Sequence, residues 1–299
     1  MRISAIRVFL IGATCICCAC EKDSPTKPRL PVIGTGFVLS STRDLPISEI
    51  YSMRSDGSGL ARLTNDSLQD SEPRWSPDGK RIAYIHAHKP GGYEPNISIM
   101  NSDGSNRTRL ITDAGDANPS WSPDGLRIAF ERNTSLFPRN QLWIVNADGS
   151  APTLVVDSLE AREITWTSQN TFLGIDGFGI VQFNVDGSGT ARIVSLTPGT
   201  VSNAYPQMSP DGVRIVFQWT GPAGSEPQIY VVNTDGTDLH AITNTSGAKS
   251  YPIWSSDGSK IAFTSYQDGT ISVWTMDSDG GNQVRVSPSP GGDQLGDWR

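Results

Sequence analysis

Short runs of alternating apolar and polar residues, separated by turn-forming residues, make up most of the chain. Ile82 and Tyr84 fall on the same face of one such run, and Ile97 and Ile99 on the same face of the next. No stretch keeps the 3.6-residue periodicity of an amphipathic helix. The pattern predicts an all-β chain of many short strands, whose apolar faces form the core.

Asp-Gly pairs divide these strands at regular intervals. One series recurs every 38 to 49 residues, and a second series, preceded by Ser-Pro or Ser-Ser, lies between its members. A period of about 40 to 50 residues with two tight turns is typical of a four-stranded propeller blade. Asp-Gly favours type I′ or related hairpins. The first series is Asp56, Asp103, Asp148, Asp186, Asp235 and Asp279, and the second is Asp78, Asp124, Asp211 and Asp257.

The two ends of the repeat region complement each other. Residues 36–64 contain three strands of a blade and lack the strand that ends at Trp75 in the next blade. The missing strand occurs at the other end of the chain, at Trp298. The sequence therefore predicts, over residues 36–299, a six-bladed β-propeller of four-stranded antiparallel blades. The C-terminal strand joins the first blade and closes the ring, which removes exposed edges.

The N-terminus carries the features of a targeting segment. A basic start precedes an apolar run of twelve residues, too short for the roughly 20 residues of a membrane span. The run ends at Cys20 and resembles a bacterial lipoprotein signal. That resemblance implies a signal peptide over 1–19, lipidation of Cys20, and a Pro-rich tether over 20–35. Lipidation at Cys18 or Cys15, a plain signal peptide, and a thiolate metal cluster are the alternatives.

Charge and cysteine content argue against a nucleic-acid-binding protein and against a disulfide-bonded domain. The net charge of −7 argues against a nucleic-acid partner, which needs basic surface to neutralise phosphates. All four cysteines lie between positions 15 and 20, so no disulfide is expected in the propeller.

The expected location is the cell envelope, facing the periplasm or the cell surface. Glu21, directly after Cys20, favours the outer membrane.

The block from Pro73 to Tyr84, Pro-Arg-Trp-Ser-Pro-Asp-Gly-Lys-Arg-Ile-Ala-Tyr, resembles the repeat of TolB-type propellers. This resemblance implies a six-bladed propeller that binds a protein of the envelope, without the α/β domain that precedes the propeller in TolB. Similar repeats occur in prolyl-oligopeptidase-type enzymes, whose chemistry resides in a separate hydrolase domain with Gly-x-Ser-x-Gly. That motif is not in this sequence, so the resemblance implies no such activity.

Loop length points to one face of the propeller as the functional one. All Asp-Gly turns fall on one face, while the longer, irregular segments fall on the other, where function is expected. Residues three before the Trp position are expected to line the channel mouth on that loop face; the alternative is that they only begin the inner strand and bond to neighbours. The irregular segments are 42–48, 86–95, 132–140, 219–227, 113–119 and 245–251. The predicted partner-binding residues are Glu72, Asn118, Glu163, Tyr205 and Tyr251, and Leu295 stands at the same position of the C-terminal strand.

The leading hypothesis is a non-catalytic binding protein, attached to the membrane by lipid, that holds a protein or peptide partner. No catalytic residue, cofactor or metal ligand is predicted. The Asp-Gly turns in particular are not expected to bind calcium, because they lack the later ligands of a calcium loop. His86, His88 and His240 belong to two different blades, which disfavours a three-His site. The alternative is a hydrolase or lyase that acts on glycans or peptides through Glu72 and Glu163. A purely structural module is the third hypothesis.

Overall fold

The computed structural model describes residues 34–44, 46–89, 92–111, 115–133, 140–159, 161–197, 204–221, 226–288 and 290–299. Within these ranges the chain forms 24 strands and no helix, so the all-β prediction is confirmed. It follows that none of the described residues belongs to a helix able to cross a membrane. The predicted signal peptide, Cys20 and the tether up to residue 33 lie outside the described residues.

The strands form six antiparallel sheets of four, which are the six predicted blades. From the channel outward, the first three blades contain these strands. Blade 1 has β24 (Asp293–Trp298), β1 (Phe37–Ser41), β2 (Glu49–Met53) and β3 (Ala61–Arg62). Blade 2 has β4 (Asp70–Trp75), β5 (Arg81–Lys89), β6 (Gly92–Asn101) and β7 (Thr108–Arg109). Blade 3 has β8 (Asp116–Trp121), β9 (Arg127–Asn133), β10 (Asn140–Asn146) and β11 (Thr153–Leu159).

The other three blades follow the same order from inner to outer strand. Blade 4 has β12 (Arg162–Ser168), β13 (Thr171–Ile175), β14 (Gly179–Asn184) and β15 (Ala191–Ser195). Blade 5 has β16 (Gln207–Met208), β17 (Arg214–Trp219), β18 (Gln228–Asn233) and β19 (His240–Ala241). Blade 6 has β20 (Lys249–Trp254), β21 (Lys260–Ser265), β22 (Ser272–Asp277) and β23 (Val284–Arg285).

The ring closes as predicted, because the C-terminal strand β24 pairs antiparallel with β1. The Trp298 ring lies 4.9 Å from the ring of Phe37, its partner in the register. Beyond the strands, Gly36 and Arg299 exchange both backbone hydrogen bonds, at 2.7 and 3.0 Å. Blade 1 is therefore built from both ends of the repeat region.

The core lies between blades. Six clusters of buried apolar residues each join two neighbouring blades. The alternation read from the sequence sets this packing: Ile82 and Tyr84 face blade 1, where they meet Ile50. Ala83 and Ile85, one residue out of phase, face blade 3. Each blade thus contributes to two clusters, and the blades stabilise one another.

Cation–π contacts add to the apolar packing between blades. The Arg two residues after a Ser-Pro-Asp-Gly glycine stacks on the tryptophan of the next blade, a geometry worth about 0.5–2 kcal/mol. The guanidinium-to-ring distances are 4.8 Å for Arg81 over Trp121, 4.9 Å for Arg127 over Trp166 and 4.8 Å for Arg214 over Trp254. This part of the repeat motif is therefore structural.

The Asp-Gly hairpins contain a turn related to type I′, not the two-residue type I′ turn itself. Gly57 has a φ of 82°, whereas Asp56 is not among the residues with positive φ. Gly57 N donates to Arg54 O and Arg54 N donates to Ser58 O, both at 2.9 Å. This is a three-residue loop, a type I turn followed by a left-handed glycine. A Cβ on Gly57 would lie 2.0 Å from Val286 O of blade 6, so this turn also requires glycine for packing.

One predicted loop is wrong. Residues 86–95 were expected to form a long loop, but β5 extends to Lys89 and β6 begins at Gly92. His86 pairs with Asp70 in the strand register and with Asn96 on the other side. The polar residues of this segment suggested a loop, but polar side chains at the rim of a blade are compatible with strand pairing, and the two strands form a continuous hairpin.

Candidate functional site

The predicted mouth residues share an unusual backbone conformation. All five have φ in the left-handed region, at 51° for Glu72, 52° for Asn118, 56° for Glu163, 45° for Tyr205 and 54° for Tyr251. This conformation is uncommon for residues other than glycine and costs about 1–3 kcal/mol at each position. The strand register shifts at Glu72, Asn118, Glu163 and Tyr251, as at a β-bulge. The mouth is thus a ring of bulges on inner strands.

Two glutamates of this ring bond to the backbone of the next blade. Asn118 N donates to Glu72 Oε2 and Tyr205 N donates to Glu163 Oε2, both at 2.7 Å. Each bond satisfies a backbone N–H that the bulge removes from the strand ladder. Glu72 and Glu163 therefore hold the ring in place as well as facing the mouth.

In blades 3, 5 and 6 the second strand supplies an acceptor. Ile164 N donates to Glu131 Oε1 at 3.0 Å and Tyr251 N donates to Gln218 Oε1 at 3.0 Å. Leu295 N likewise donates to Thr264 Oγ1 at 2.9 Å.

Sequence reasoning missed Glu131 and Gln218, although a signal was present. Both stand four residues after the Arg that begins the second strand, where blade 2 has Ile85. Glu131 is 3% exposed and also accepts from Asn118 Nδ2 at 3.1 Å. A polar residue at an otherwise apolar strand position marks a buried acceptor. Leu295, by contrast, is buried in the core between blades 6 and 1 and does not enlarge the mouth.

Burial controls the protonation of the mouth carboxyls. It raises the pKa of Glu131 and that of Glu163 from 4.5 to about 7. Repulsion from Glu72 adds to the increase at Glu131, and repulsion from Glu131 adds to the increase at Glu163. Burial also raises the pKa of Glu72, against the backbone hydrogen bond from Asn118. Near neutral pH, the mouth therefore contains carboxyl groups that can either accept or donate a proton.

Two tyrosines complete the mouth. The rings of Tyr205 and Tyr251 lie 4.3 Å apart with an interplanar angle of 34°, and their hydroxyls are 3.3 Å apart. Burial raises the pKa of both phenols, so both stay protonated at physiological pH. The pair offers a flat aromatic surface with hydroxyl groups, beside the carboxyl of Glu163.

A cavity of about 250 Å³ lies in the channel below the mouth. Asn118, Glu163 and Tyr205 line its upper part, while Glu72 and Tyr251 flank them on the neighbouring blades. The volume is below the roughly 300–1,000 Å³ of small-molecule pockets, and suits one or two side chains. The next level down is mostly polar and consists of Arg74, Ser120, Thr165, Gln207, Ile253 and Asp297.

Comparison with known proteins agrees with the propeller fold. The family model of the TolB β-propeller domain matches residues 25–170 and 180–298. The chain belongs to this family. No protein of curated function matches the sequence significantly.

Solved structures extend the comparison beyond the family model. TolB from Acinetobacter baumannii superposes with a TM-score of 0.72 at 19% identity, covering 89% of this chain and 67% of that one. A structure assigned as TolB from Agrobacterium tumefaciens gives 0.61 at 24% identity, covering 79% and 92%. An oligogalacturonate lyase in complex with manganese gives 0.59 at 13%, covering 86% and 75%. Identities this low show a shared fold, and the fold serves both TolB proteins and an enzyme.

The raised pKa values predict that stability falls as the pH rises from about 5 to 8. Glu131 and Glu163 titrate near 7 when folded and near 4.5 when unfolded. Their contribution is therefore complete below pH 4.5 and lost as the pH passes 7, at about 1.4 kcal/mol per pKa unit. Glu163→Gln is expected to flatten this part of the profile, measured by denaturant unfolding at pH 5, 6, 7 and 8.

Asp103→Asn serves as the control for this profile. Asp103 is exposed, and hydrogen bonds from Ser105 lower its pKa, so the substitution should act only at acidic pH. A slope between pH 5 and 8 that is the same in Glu163→Gln and the unchanged protein would contradict the assignment.

Proposed function

We propose that this propeller is an envelope-anchored, non-catalytic binding protein that holds a protein or peptide partner on its loop face. The observation that carries the proposal is the ring of five left-handed residues, fixed by bonds between blades around a cavity. Strained backbone that neighbours hold rigidly is typical of functional sites. Membership of the TolB β-propeller family supports a protein partner.

The chemistry of the mouth favours a peptide segment with hydrogen-bond donors. Tyr205 and Tyr251 supply a stacking surface, and such rigid aromatic residues often anchor interfaces. Glu163, 7% exposed, supplies an acceptor at the cavity wall. A side chain of the partner would occupy the cavity, while its backbone would lie across the loop face.

The proposal includes attachment to the membrane. Cleavage after residue 19 and lipidation of Cys20 would leave residues 20–35 as a tether, with a reach of roughly 50 Å at about 3.3 Å per residue. The described fold begins at Gly34, which lies against Gly79 in the turn between β4 and β5 of blade 2. The partner would then be an envelope protein within this distance of the membrane, with the outer membrane favoured by Glu21.

Site-specific photocrosslinking in cells tests this function. A photoreactive residue at Tyr251 is expected to form an adduct with one envelope protein, and Glu163→Gln in the same chain should weaken that adduct. The matched control is the same residue at Val213, which is 53% exposed beside a Ser-Pro-Asp-Gly turn on the opposite face. Equal adducts from both positions, or none from Tyr251, would contradict binding at the mouth.

The hydrolase or lyase alternative also has a specific observation in its favour. A carboxyl with a pKa near 7 is suited to general acid–base catalysis at neutral pH, and Glu163 lines the cavity. The lyase among the structural neighbours shows that the fold can support such chemistry. Turnover of a glycan or peptide that is lost in Glu163→Gln, with binding retained, would favour the enzyme over the binding protein.

A further inference from the structure

Three blades begin their inner strand with a buried aspartate at the rim of the loop face. Asp70, Asp116 and Asp293 are each the first residue of that strand, and each is 0% exposed. A buried carboxylate requires a compensating charge and hydrogen bonds to both oxygens. Two of the three blades meet this requirement in full, and the third does not.

Two of the aspartates are paired with arginine. Arg132 donates from Nε to Asp116 Oδ1 at 2.7 Å and from Nη2 to Asp116 Oδ2 at 3.4 Å. Arg43 donates from Nε to Asp293 Oδ1 at 3.1 Å and from Nη2 to Asp293 Oδ2. In both blades, the guanidinium supplies one positive charge and a donor for each carboxylate oxygen.

Blade 2 has histidine in place of arginine. Asp70 pairs with His86 in the same strand register that joins Asp116 to Arg132. His86 Nδ1 contacts Asp70 Oδ1 at 2.6 Å. Asp70 Oδ2 is buried, and no hydrogen-bond partner for it is found among the described residues. This corner of the fold is therefore one donor short, and an unmet buried acceptor destabilises the folded state.

A second carboxylate approaches this corner. Asp66, in the connection from β3 to β4, offers an oxygen that lies within 4.8 Å of ligand atoms of Asp70 and His86. In the described part of the chain, this is the one place where three His, Cys, Asp or Glu side chains bring their ligand atoms this close together. The Asp66 carboxylate also faces Arg107, whose Nη1 is 3.7 Å from Oδ2 and which is partly exposed. That pair is too long and too solvated to hold the Asp66 carboxylate firmly.

We propose that Asp66, Asp70 and His86 bind a divalent transition-metal cation of the Zn²⁺ type. The cation supplies the positive charge that arginine supplies to Asp116 and Asp293, and its coordination takes the place of a hydrogen-bond donor to Asp70 Oδ2. One imidazole and two carboxylates are ligands that Zn²⁺ accepts at about 2.0–2.2 Å. Asp66 is exposed and can close the remaining distance by a rotamer change. The site lies on the loop face and is independent of the proposed partner.

Calorimetric titration with Zn²⁺ tests the site directly. The full chain is used after alkylation of its four cysteines, which all lie between 15 and 20 and would otherwise compete for the metal. The expected result is one Zn²⁺ per chain, with binding at least tenfold weaker in Asp66→Asn. His240→Ala is the matched control, because it removes an exposed histidine of blade 5 and should leave the affinity unchanged.

His86→Arg provides a variant that is expected to fold. It restores the arginine found opposite Asp116, so the metal-free protein should be at least as stable as the parent. Zn²⁺ should raise the unfolding temperature of the parent but not that of His86→Arg. Equal Zn²⁺ affinity in the two proteins, or no Zn²⁺ binding by the parent, would overturn the proposal. Neither readout involves the partner, so the metal site and the proposed function fail separately.

Discussion

Deleting residues 295–299 is expected to lower the free energy of unfolding by about 5 kcal/mol, a large part of the total for an ordinary domain. The deletion removes most of β24, including the buried Leu295 and the contact between Trp298 and Phe37. Burial of each such side chain contributes about 1.5–3 kcal/mol, and the lost strand also exposes the ladder of β1. Thermal unfolding should shift down by about 10 °C or more.

A chain extended by five Gly-Ser residues after Arg299 is the control, because it changes the length of the C-terminus but keeps β24. Its unfolding temperature should match that of the parent. Unchanged unfolding of the deletion variant would show that the closing strand contributes nothing, contrary to its pairing with β1. The deletion should also promote association, since β1 becomes an unpaired edge.

The blade count and the closing strand were predictable because both follow from local, repeated chemistry. Each Asp-Gly turn carries its own signal, and Trp298 completes a pattern that residues 36–64 lack. The packing of Ile82 toward one neighbour and Ala83 toward the other also follows from the two-residue period of a strand. These features need no knowledge of distant contacts.

The sequence identified the residues that share this position in each blade, but it did not indicate their backbone conformation or the hydrogen bonds that hold them. Counting three residues back from each tryptophan found Glu72 and Glu163, whereas the left-handed backbone at these positions has no signal of its own. The bonds from Glu131 and Gln218 to the next blade depend on how far adjacent blades approach. The Asp70–His86 corner was missed for the same reason, because Asp66 and Asp70 reach His86 only through the fold.

Removing Asp116 is expected to be the most damaging single substitution at the rim of the blades. Arg132 is 8% exposed, so Asp116→Ala would leave a buried guanidinium without its carboxylate. Breaking a buried pair by removing one partner costs about 3–5 kcal/mol. The contact of Arg132 with Trp143, at 4.8 Å, holds the side chain in place and limits its escape to solvent. Denaturant unfolding at neutral pH measures the loss.

The double substitution Asp116→Leu with Arg132→Met separates the cost of removing the Asp116 carboxylate alone from the value of the ion pair. Replacing a buried ion pair by apolar residues of similar size is often neutral or stabilising, so the double variant should be much more stable than Asp116→Ala. A double variant at least as unstable as Asp116→Ala would show that the pair itself holds β8 against β9. That outcome would also increase the importance of the proposed cation in blade 2. His86 makes one hydrogen-bond contact with Asp70, whereas Arg132 makes two with Asp116, so the cation would have to supply the missing link between β4 and β5.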